Sequence, residues 1–589
     1  MPLRRILRMA PWQVRSRILA GVQRRVLPRV SEDQRLGMAR RIVSLSHPPR
    51  LPLMRTAEAA VTMRVRTGRG WVTARRDPAA SPAGVRRDNL DRVVAALDEA
   101  GIDWFRIPAK SLRTTAVAVL VTDRAATIRL LEALTTGTGL MDVVKPRKAK
   151  NRKTAEVLRV CWPVTDPNGS LVLATDVGCE IEFWAERDGV LAGPRPNPIA
   201  DVIALDEPVV HASESAFGPF SSPHDVSAYR TKQIFTMPGP DRIAFPIDVV
   251  YTWVDGSDPS WQARKAAAQG TNAWLDTGSR LAHNSARYTS RDELRYSLRS
   301  LHCFAPWVNH IYLVTDDQVP DWLDTAQPGL TLVSHREIFG DTGRLPTFNS
   351  QAIESRLHRI PGLSEHFLYL NDDVFLGRPL SPDLFFTPGG LTRFFPSSAQ
   401  VDSAPRRPDD PPADSAGKNN RELIRTAFGR VLTRKMMHTP HPSRLSIITE
   451  IEQRFTEYVT ATAGHQFRHP EDIALLSSLQ QYYAYLTGRA APGTVAYMYA
   501  DLANPATPFK LARLLRHRDL DTFCLNDTDS DEAVAVEQAA LLGEFLPAYL
   551  PFASPYERDA GPPVRPQADR RAEIPSQSGG QAPTNTPVA

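Results

Sequence analysis

The stretch from residue 366 to residue 377, HFLYLNDDVFLG, constrains this chain most. Phe367 to Leu370 and Val374 to Leu376 are short apolar runs, and such runs usually form strands buried on both faces. Asp372 and Asp373 interrupt them, where a carboxylate without a partner costs several kcal/mol or takes up a proton. The same order, an apolar run and then acids, recurs in IDVVYTWVDGSD from Ile247 and in HIYLVTDD from His310. Stretches with helical signals lie between these runs, which predicts an α/β unit with a parallel sheet. Ligands of such sheets bind beyond the carboxyl ends of the strands, where these acids fall. Asp-Asp also suits a solvated turn. The immediate return of the apolar run at Val374 leaves little turn character and favours a bound cation.

The chain has 589 residues, too many for one core, and its 50 prolines against 33 glycines imply long irregular segments. A net charge of +6 is modest, and the 71 lysines and arginines are spread along the chain, so no nucleic-acid partner is expected. The four cysteines are far apart with no C-x-x-C spacing, which fits a reduced, cytoplasmic setting. No run of about 18 apolar residues exists to span a membrane. Residues 1–30 carry eight arginines and no acid, and Val14, Ile18, Leu19, Val22 and Val26 fall near one helical face. This basic amphipathic segment either lies on the anionic inner face of the plasma membrane or packs on the protein itself. It lacks a continuous apolar core and a small-residue cleavage site, which argues against a signal peptide. Oligomeric state is not legible.

Residues 31–85 read as helix and linker. A smaller accessory α/β domain is expected over 86–220, with a helix in DNLDRVVAALDEAG that starts at Asp/Asn and stops at Gly101. FGPFSSPHDV then marks a boundary before a larger α/β unit, 241–553. Within that unit, residues 400–420 are charged and Pro-rich and are expected to loop out. Residues 554–589 read as a disordered tail.

After the first strand, Asp255-Gly256 and Asp258-Pro259 form a turn. Its acids either shape that turn or sit with Trp253 beside a ligand. Ser290 and Glu293 have capping-box spacing, which makes Glu293 a helix cap before a catalyst. Val319 to Leu323 is expected to begin a return helix after the strand that ends at Asp316-Asp317. Ser350 or Asn349 can cap a helix carrying Glu354. His438 and His441 flank Thr439-Pro440, and Arg468-His469 precede another helix start. Zinc is disfavoured for this histidine pair, because no E-x-x-H or C-x-x-C accompanies it and Pro440 breaks the helix. A general base and a phosphate-binding arginine are better roles, against a solvated loop histidine and a surface arginine. FCLNDTDSDE is a last apolar stub ending in acids, with Asn526 and Asp527. Walker, G-x-G-x-x-G and G-x-S-x-G signatures are absent from the sequence.

In order, IDVVYTWVDGSD, ELRYSLRSL with APWV, AIESRLHRI with YLNDDVF, HTPH with RHPED, and CLND resemble the four characteristic regions of the Stealth family of sugar-phosphate transferases. That family includes bacterial capsule and exopolysaccharide phosphotransferases. The resemblance implies a Rossmann-like domain close to nucleotide-sugar transferase folds. It also implies transfer of hexose-1-phosphate from a nucleotide-diphosphate sugar to a glycan hydroxyl. The family's functional positions fall on Glu354, Asp373, His438 and Arg468. Phosphoryl transfer needs stabilised phosphate charge and a positioned nucleophile. Asp373, with Asp372 and Asp527, is accordingly expected to hold Mg²⁺ or Mn²⁺. Arg468 would neutralise the transferred phosphate, while Thr252, Trp253, Asp255, Gly256 and Asn526 would sit by the nucleotide sugar. His438 or Glu354 would take the acceptor's proton, a neutral histidine being the better match near pH 7. The competing readings are a metal-dependent glycosyltransferase that releases nucleoside diphosphate and a non-catalytic glycan-binding subunit.

Overall fold

The computed structural model describes residues 61–558, except 69, 145–151, 273–278, 280–284 and 528–531. The basic segment 1–30 and the tail beyond 558 lie outside the described residues. Among the described residues no helix is long and apolar enough to cross a membrane. All four cysteines are free and buried.

Part of the stretch expected as helix and linker is instead an antiparallel hairpin, Thr62–Thr67 with Gly70–Arg76. The helix expected from Asp88 begins earlier and spans Pro82–Glu99. Ser81 is its N-cap, accepting from the Gly84 N–H, and Pro82 opens the first turn, a stronger start signal than Asp/Asn further on. This helix packs on a mixed sheet whose path runs Val202–Ala204, Val190–Ala192, Cys179–Arg187, Thr115–Leu120, Trp104–Ile107, Ala228–Lys232 and Val209–Ser213. The accessory unit thus continues past residue 220. Thr231 pairs with Arg106, and its hydroxyl donates to the Arg106 carbonyl at 2.6 Å. AYRTK has no apolar alternation that would announce such a strand.

The larger unit is built on a five-stranded sheet. β1 (Ile247–Thr252), β2 (Ile311–Thr315), β3 (Leu330–Ser334) and β4 (His366–Asn371) are parallel, in the order β3-β2-β1-β4. After β4 the chain turns at Asp372-Asp373 and enters β5 (Val374–Leu376). β6 (His441–Arg444) lies antiparallel on the free side of β4. β7 (Tyr497–Asp501) and β8 (Thr522–Asn526) join β5 in a second sheet, ordered β5-β8-β7. Strand order therefore reverses between β1 and β4, the topological switch of a Rossmann-like sheet. The two apolar runs around Asp372-Asp373 belong to different sheets, and the acids mark the joint. Alternate residues of β1 feed separate cores, Val249 and Tyr251 one, Val250 the other. Val85 and Val177 of the accessory unit share the first core with Leu298 and Leu301, so the two units are packed together.

Three further expectations change. No helix forms over 319–329, where Leu323 instead bridges Glu557. Residues 400–420 do not loop out throughout, because the latter part enters a helix, Pro412–Phe428, with Ser415, Lys418 and Asn420 buried. Polar contacts dock this helix: Asn419 donates to the carbonyls of Pro470 and Asp472, Asn420 to that of Ala474, and Lys418 pairs with Asp410 at 2.8 Å. Residues 554–558 are packed and do not belong to a loose tail. The Glu557 carboxylate, 3% exposed, is gripped by Arg295 and Arg299 at 2.6 and 2.7 Å. Both arginines lie on α1, Glu293–Phe304.

Candidate active site

A cavity of about 630 Å³ opens at the carboxyl ends of β1 and β4. Its wall includes Thr252 and Trp253 from the end of β1, Asn371, Asp372 and Asp373 from the joint after β4, and Asn526 and Asp527 from the end of β8. Glu354, His438 and Arg468 also face it. All four residues expected to act in catalysis are thus brought to one cavity.

Asp373 is held from one side only. Its Oδ2 accepts from the Asn526 amide at 3.0 Å and from the Cys524 thiol at 3.3 Å. Its Oδ1 is buried with no hydrogen-bond partner, a state that costs the group its hydration without return. His438 stands opposite, with Nε2 3.8 Å from that oxygen. Asn371 Oδ1 accepts from His438 Nε2 at 3.1 Å, which turns Nδ1 toward Cys524 Sγ at 3.4 Å. Asn526, expected beside the nucleotide, therefore also positions the key carboxylate.

Asp372 and Glu293 add two more carboxyls. Burial, reinforced by Glu293 and then Asp373, raises the Asp372 pKa well above the ordinary range. Burial likewise pushes Glu293 up to about 7, against the hydrogen bond it accepts from the Arg291 N–H. The Ser290 capping box does not form, because the helix N-cap is Asp292 in a left-handed conformation (φ 65°). Glu293 serves the first turn and faces the cavity as well. Asp527, expected as a metal ligand, instead pairs with Arg291 Nη2 at 2.6 Å. Such a carboxylate is already neutralised. The remaining donors do fit a hard divalent cation: the Asp372 and Asp373 carboxyls, one oxygen of the pair unpartnered, line a cavity with room for phosphate oxygens and water, and a cation would favour the ionised form of both.

Glu293 carries a pH expectation for the metal-free protein. Its folded-state pKa, about 7, exceeds its ordinary value of 4.5. Its proton therefore contributes stability that is fully present below pH 4.5 and is lost as the pH rises through about 7. Glu293→Gln should remove on the order of 2–3 kcal/mol of that loss. Thermal melts in chelator at about pH 5 and about pH 8 check it, and an unchanged difference between wild type and variant would exclude Glu293 as the source.

Two guanidiniums serve the other end. Arg468 Nη2 donates to Ser350 Oγ at 2.6 Å, and burial lowers its pKa. Arg287 is reachable from the cavity, yet the surrounding walls strip enough water to push it down to about 9, with the Arg468 charge adding to the effect. Among the described residues neither has a carboxylate within ion-pair reach. Glu354 lies near Arg468, on a short helix capped by Asn349; it accepts from the Ser477 N–H and hydroxyl at 3.3 and 3.0 Å, and burial raises its pKa.

Asp255 and Gly256 are not among the cavity-lining residues. Asp255 Oδ1 accepts from the Ser257 N–H and hydroxyl, so this carboxylate shapes the turn. Gly256 donates to the Tyr288 carbonyl at 2.8 Å, where a Cβ would lie 2.3 Å from that oxygen. Glycine is needed for this close approach beside Arg287. Arg287, Arg291 and Cys524 were missed from the sequence. The arginines look like surface charge, and a single cysteine reads as a small apolar residue.

The cavity gathers segments that are remote along the chain, and the comparisons with known proteins follow the same segments. Models of Stealth protein conserved regions 1, 2, 3 and 4 match residues 245–273, 287–394, 437–485 and 512–568. An exopolysaccharide phosphotransferase of Streptomyces coelicolor is 43% identical over 577 residues, covering 92% of this chain and 96% of that protein. A second from the same organism is 44% identical over 521 residues, covering 82% and 86%. The exopolysaccharide phosphotransferase CpsY of Mycobacterium tuberculosis is 38% identical, covering 65% and 70%. Among solved structures, the galactosyltransferase LgtC in complex with donor and acceptor sugar analogs aligns with 51% of this chain and 96% of that one, at 11% identity and a TM-score of 0.27. Region 1 supplies the end of β1, region 2 Glu354 and Asp373, region 3 His438 and Arg468, and region 4 Asn526: the chain belongs to the Stealth protein family.

Proposed function

We propose that this enzyme transfers hexose-1-phosphate from a nucleotide-diphosphate sugar to a hydroxyl of a glycan in exopolysaccharide synthesis. The acceptor oxygen attacks the phosphorus that carries the sugar, the bond between the two phosphates breaks, a phosphodiester forms and nucleoside monophosphate leaves. One observation carries the reading: a carboxylate with an unpartnered oxygen, a histidine and two guanidiniums that have no carboxylate within ion-pair reach among the described residues converge on one cavity at the sheet's switch point. The relatives' names, exopolysaccharide phosphotransferase, support the coarser part of this reading, phosphotransfer in exopolysaccharide synthesis.

Asp372 and Asp373 would hold Mg²⁺ or Mn²⁺, which supplies positive charge to the diphosphate. Arg468 and Arg287 bind the phosphate oxygens, and the low-dielectric walls around Arg468 strengthen that attraction. Thr252 and Trp253 flank the nucleotide. His438 takes the acceptor's proton, and the resulting imidazolium is stabilised by Asn371 Oδ1 at 3.1 Å and Asp373 Oδ1 at 3.8 Å. Glu354 orients the acceptor beside Arg468.

A panel of nucleotide sugars with a glycan acceptor tests the proposal, read by phosphorus NMR of the product and chromatography of the released nucleotide. Nucleoside monophosphate with a phosphodiester is the expected result. Nucleoside diphosphate would make the protein a glycosyltransferase, and neither product from any donor would leave a glycan-binding subunit.

A further inference from the structure

We propose that Asp373, His438 and Cys524 form a binding site for a borderline-soft divalent cation of the zinc class, and that filling this site switches the transferase off. The binding rests on geometry alone, whereas the inhibition rests on the roles proposed above for Asp373 and His438.

Cys524 Sγ lies 3.3 Å from Asp373 Oδ2 and 3.4 Å from His438 Nδ1, and one ligand atom from each residue falls within 4.8 Å of the other two. A tetrahedral zinc ion with bonds of about 2.3 Å to sulfur and about 2.0 Å to nitrogen or oxygen spaces its ligand atoms roughly 3.3–3.6 Å apart. Both edges that meet at sulfur therefore already have the required length. The ligands come from firm supports. Cys524 is fully buried in β8, where it pairs with Val374 of β5, and Asp373 sits at the joint between the sheets. Asn371 takes the far nitrogen of His438 and so aims Nδ1 at the sulfur, while Asn526 steadies Asp373, the outer-sphere support that metal ligands usually have.

The Asp373 and His438 side chains are 16% and 30% exposed, toward the cavity. Three protein ligands with an open position on that side make an accessible site. Sulfur supplies the selectivity. Magnesium prefers oxygen donors and gains little from a thiolate, whereas zinc-class ions bind it strongly. On binding, the thiol gives its proton to solvent as the metal–sulfur bond forms, and no electron is transferred. The ion then occupies the carboxylate that the hard cation uses and the nitrogen that takes the acceptor's proton. The other candidate cluster among the described residues, His465, His469 and Glu471, contains no sulfur.

Cobalt(II) titration of the metal-free full-length protein tests the site, because a cobalt–thiolate bond gives a charge-transfer band that nitrogen and oxygen ligands do not. The expected result is this band in wild type, its loss on adding Zn²⁺, and its absence in Cys524→Ser with affinity for Zn²⁺ reduced at least about 100-fold. No band in wild type, or a band that persists in folded Cys524→Ser, overturns the site. If that variant does not fold, His438→Ala should weaken cobalt binding, and unchanged affinity there would overturn the proposal equally. With excess Mg²⁺ present, Zn²⁺ should abolish transfer and a zinc-selective chelator should restore it. Transfer that continues at full rate with the site filled overturns the inhibition. The band without transfer from any nucleotide sugar would refute the proposed function and leave the cation site standing.

Discussion

Asp373→Asn should give a folded protein whose transfer rate is lowered at least about 100-fold. The fold should survive because the asparagine carbonyl can still accept from Asn526, and the strands on either side of the joint are buried among apolar neighbours. What disappears is the charge at the end of β4, with its unpartnered oxygen. One negative charge fewer also lets Asp372 ionise more readily, since Asp373 is one cause of its raised pKa. A melting temperature close to wild type together with collapsed turnover is the expected pair of results. Turnover within a few-fold of wild type would remove Asp373 from the mechanism.

His438→Ala should cost as much, again at least about 100-fold. Its ring contacts Asn371, Cys524 and Asp373 at the rim of the cavity, and the side chain is 30% exposed. The variant should therefore melt near wild type. If His438 takes the acceptor's proton, the acidic limb of the wild-type pH–rate profile should vanish in the variant's residual activity. A retained limb would pass the role to Glu354, the buried carboxyl beside Arg468.

Parts of this arrangement were legible from residue order alone. β1, β2 and β4 announce themselves by apolar runs of strand length, and the acids after them mark the ligand-binding edge. The partner of β5 could not be read, since Val374 pairs with Cys524 across a long stretch of chain and nothing local encodes that choice. Arg291 and Asp527 illustrate the same limit. They are 236 residues apart in sequence, and only the fold turns a presumed metal ligand into half of an ion pair. The helix Pro412–Phe428 was hidden for a different reason. Its polar residues suggest solvent, but Asn419 and Asn420 are spent on backbone carbonyls of the segment that follows Arg468. Asp255 and Gly256 show the converse case, residues in a family motif that support the site through turn geometry and backbone approach.

The grip of Arg295 and Arg299 on Glu557 has a practical side for anyone shortening this protein. A stop codon after residue 553 looks harmless, because the composition there turns to proline, glycine and serine. It would strip two largely buried arginines of their shared carboxylate, a change that typically costs about 3–5 kcal/mol. Both arginines project from the helix whose first residue, Glu293, lines the cavity. Trimming at the far end of the chain would thus slacken a wall of the active site, and a minimal active fragment should run through Arg558.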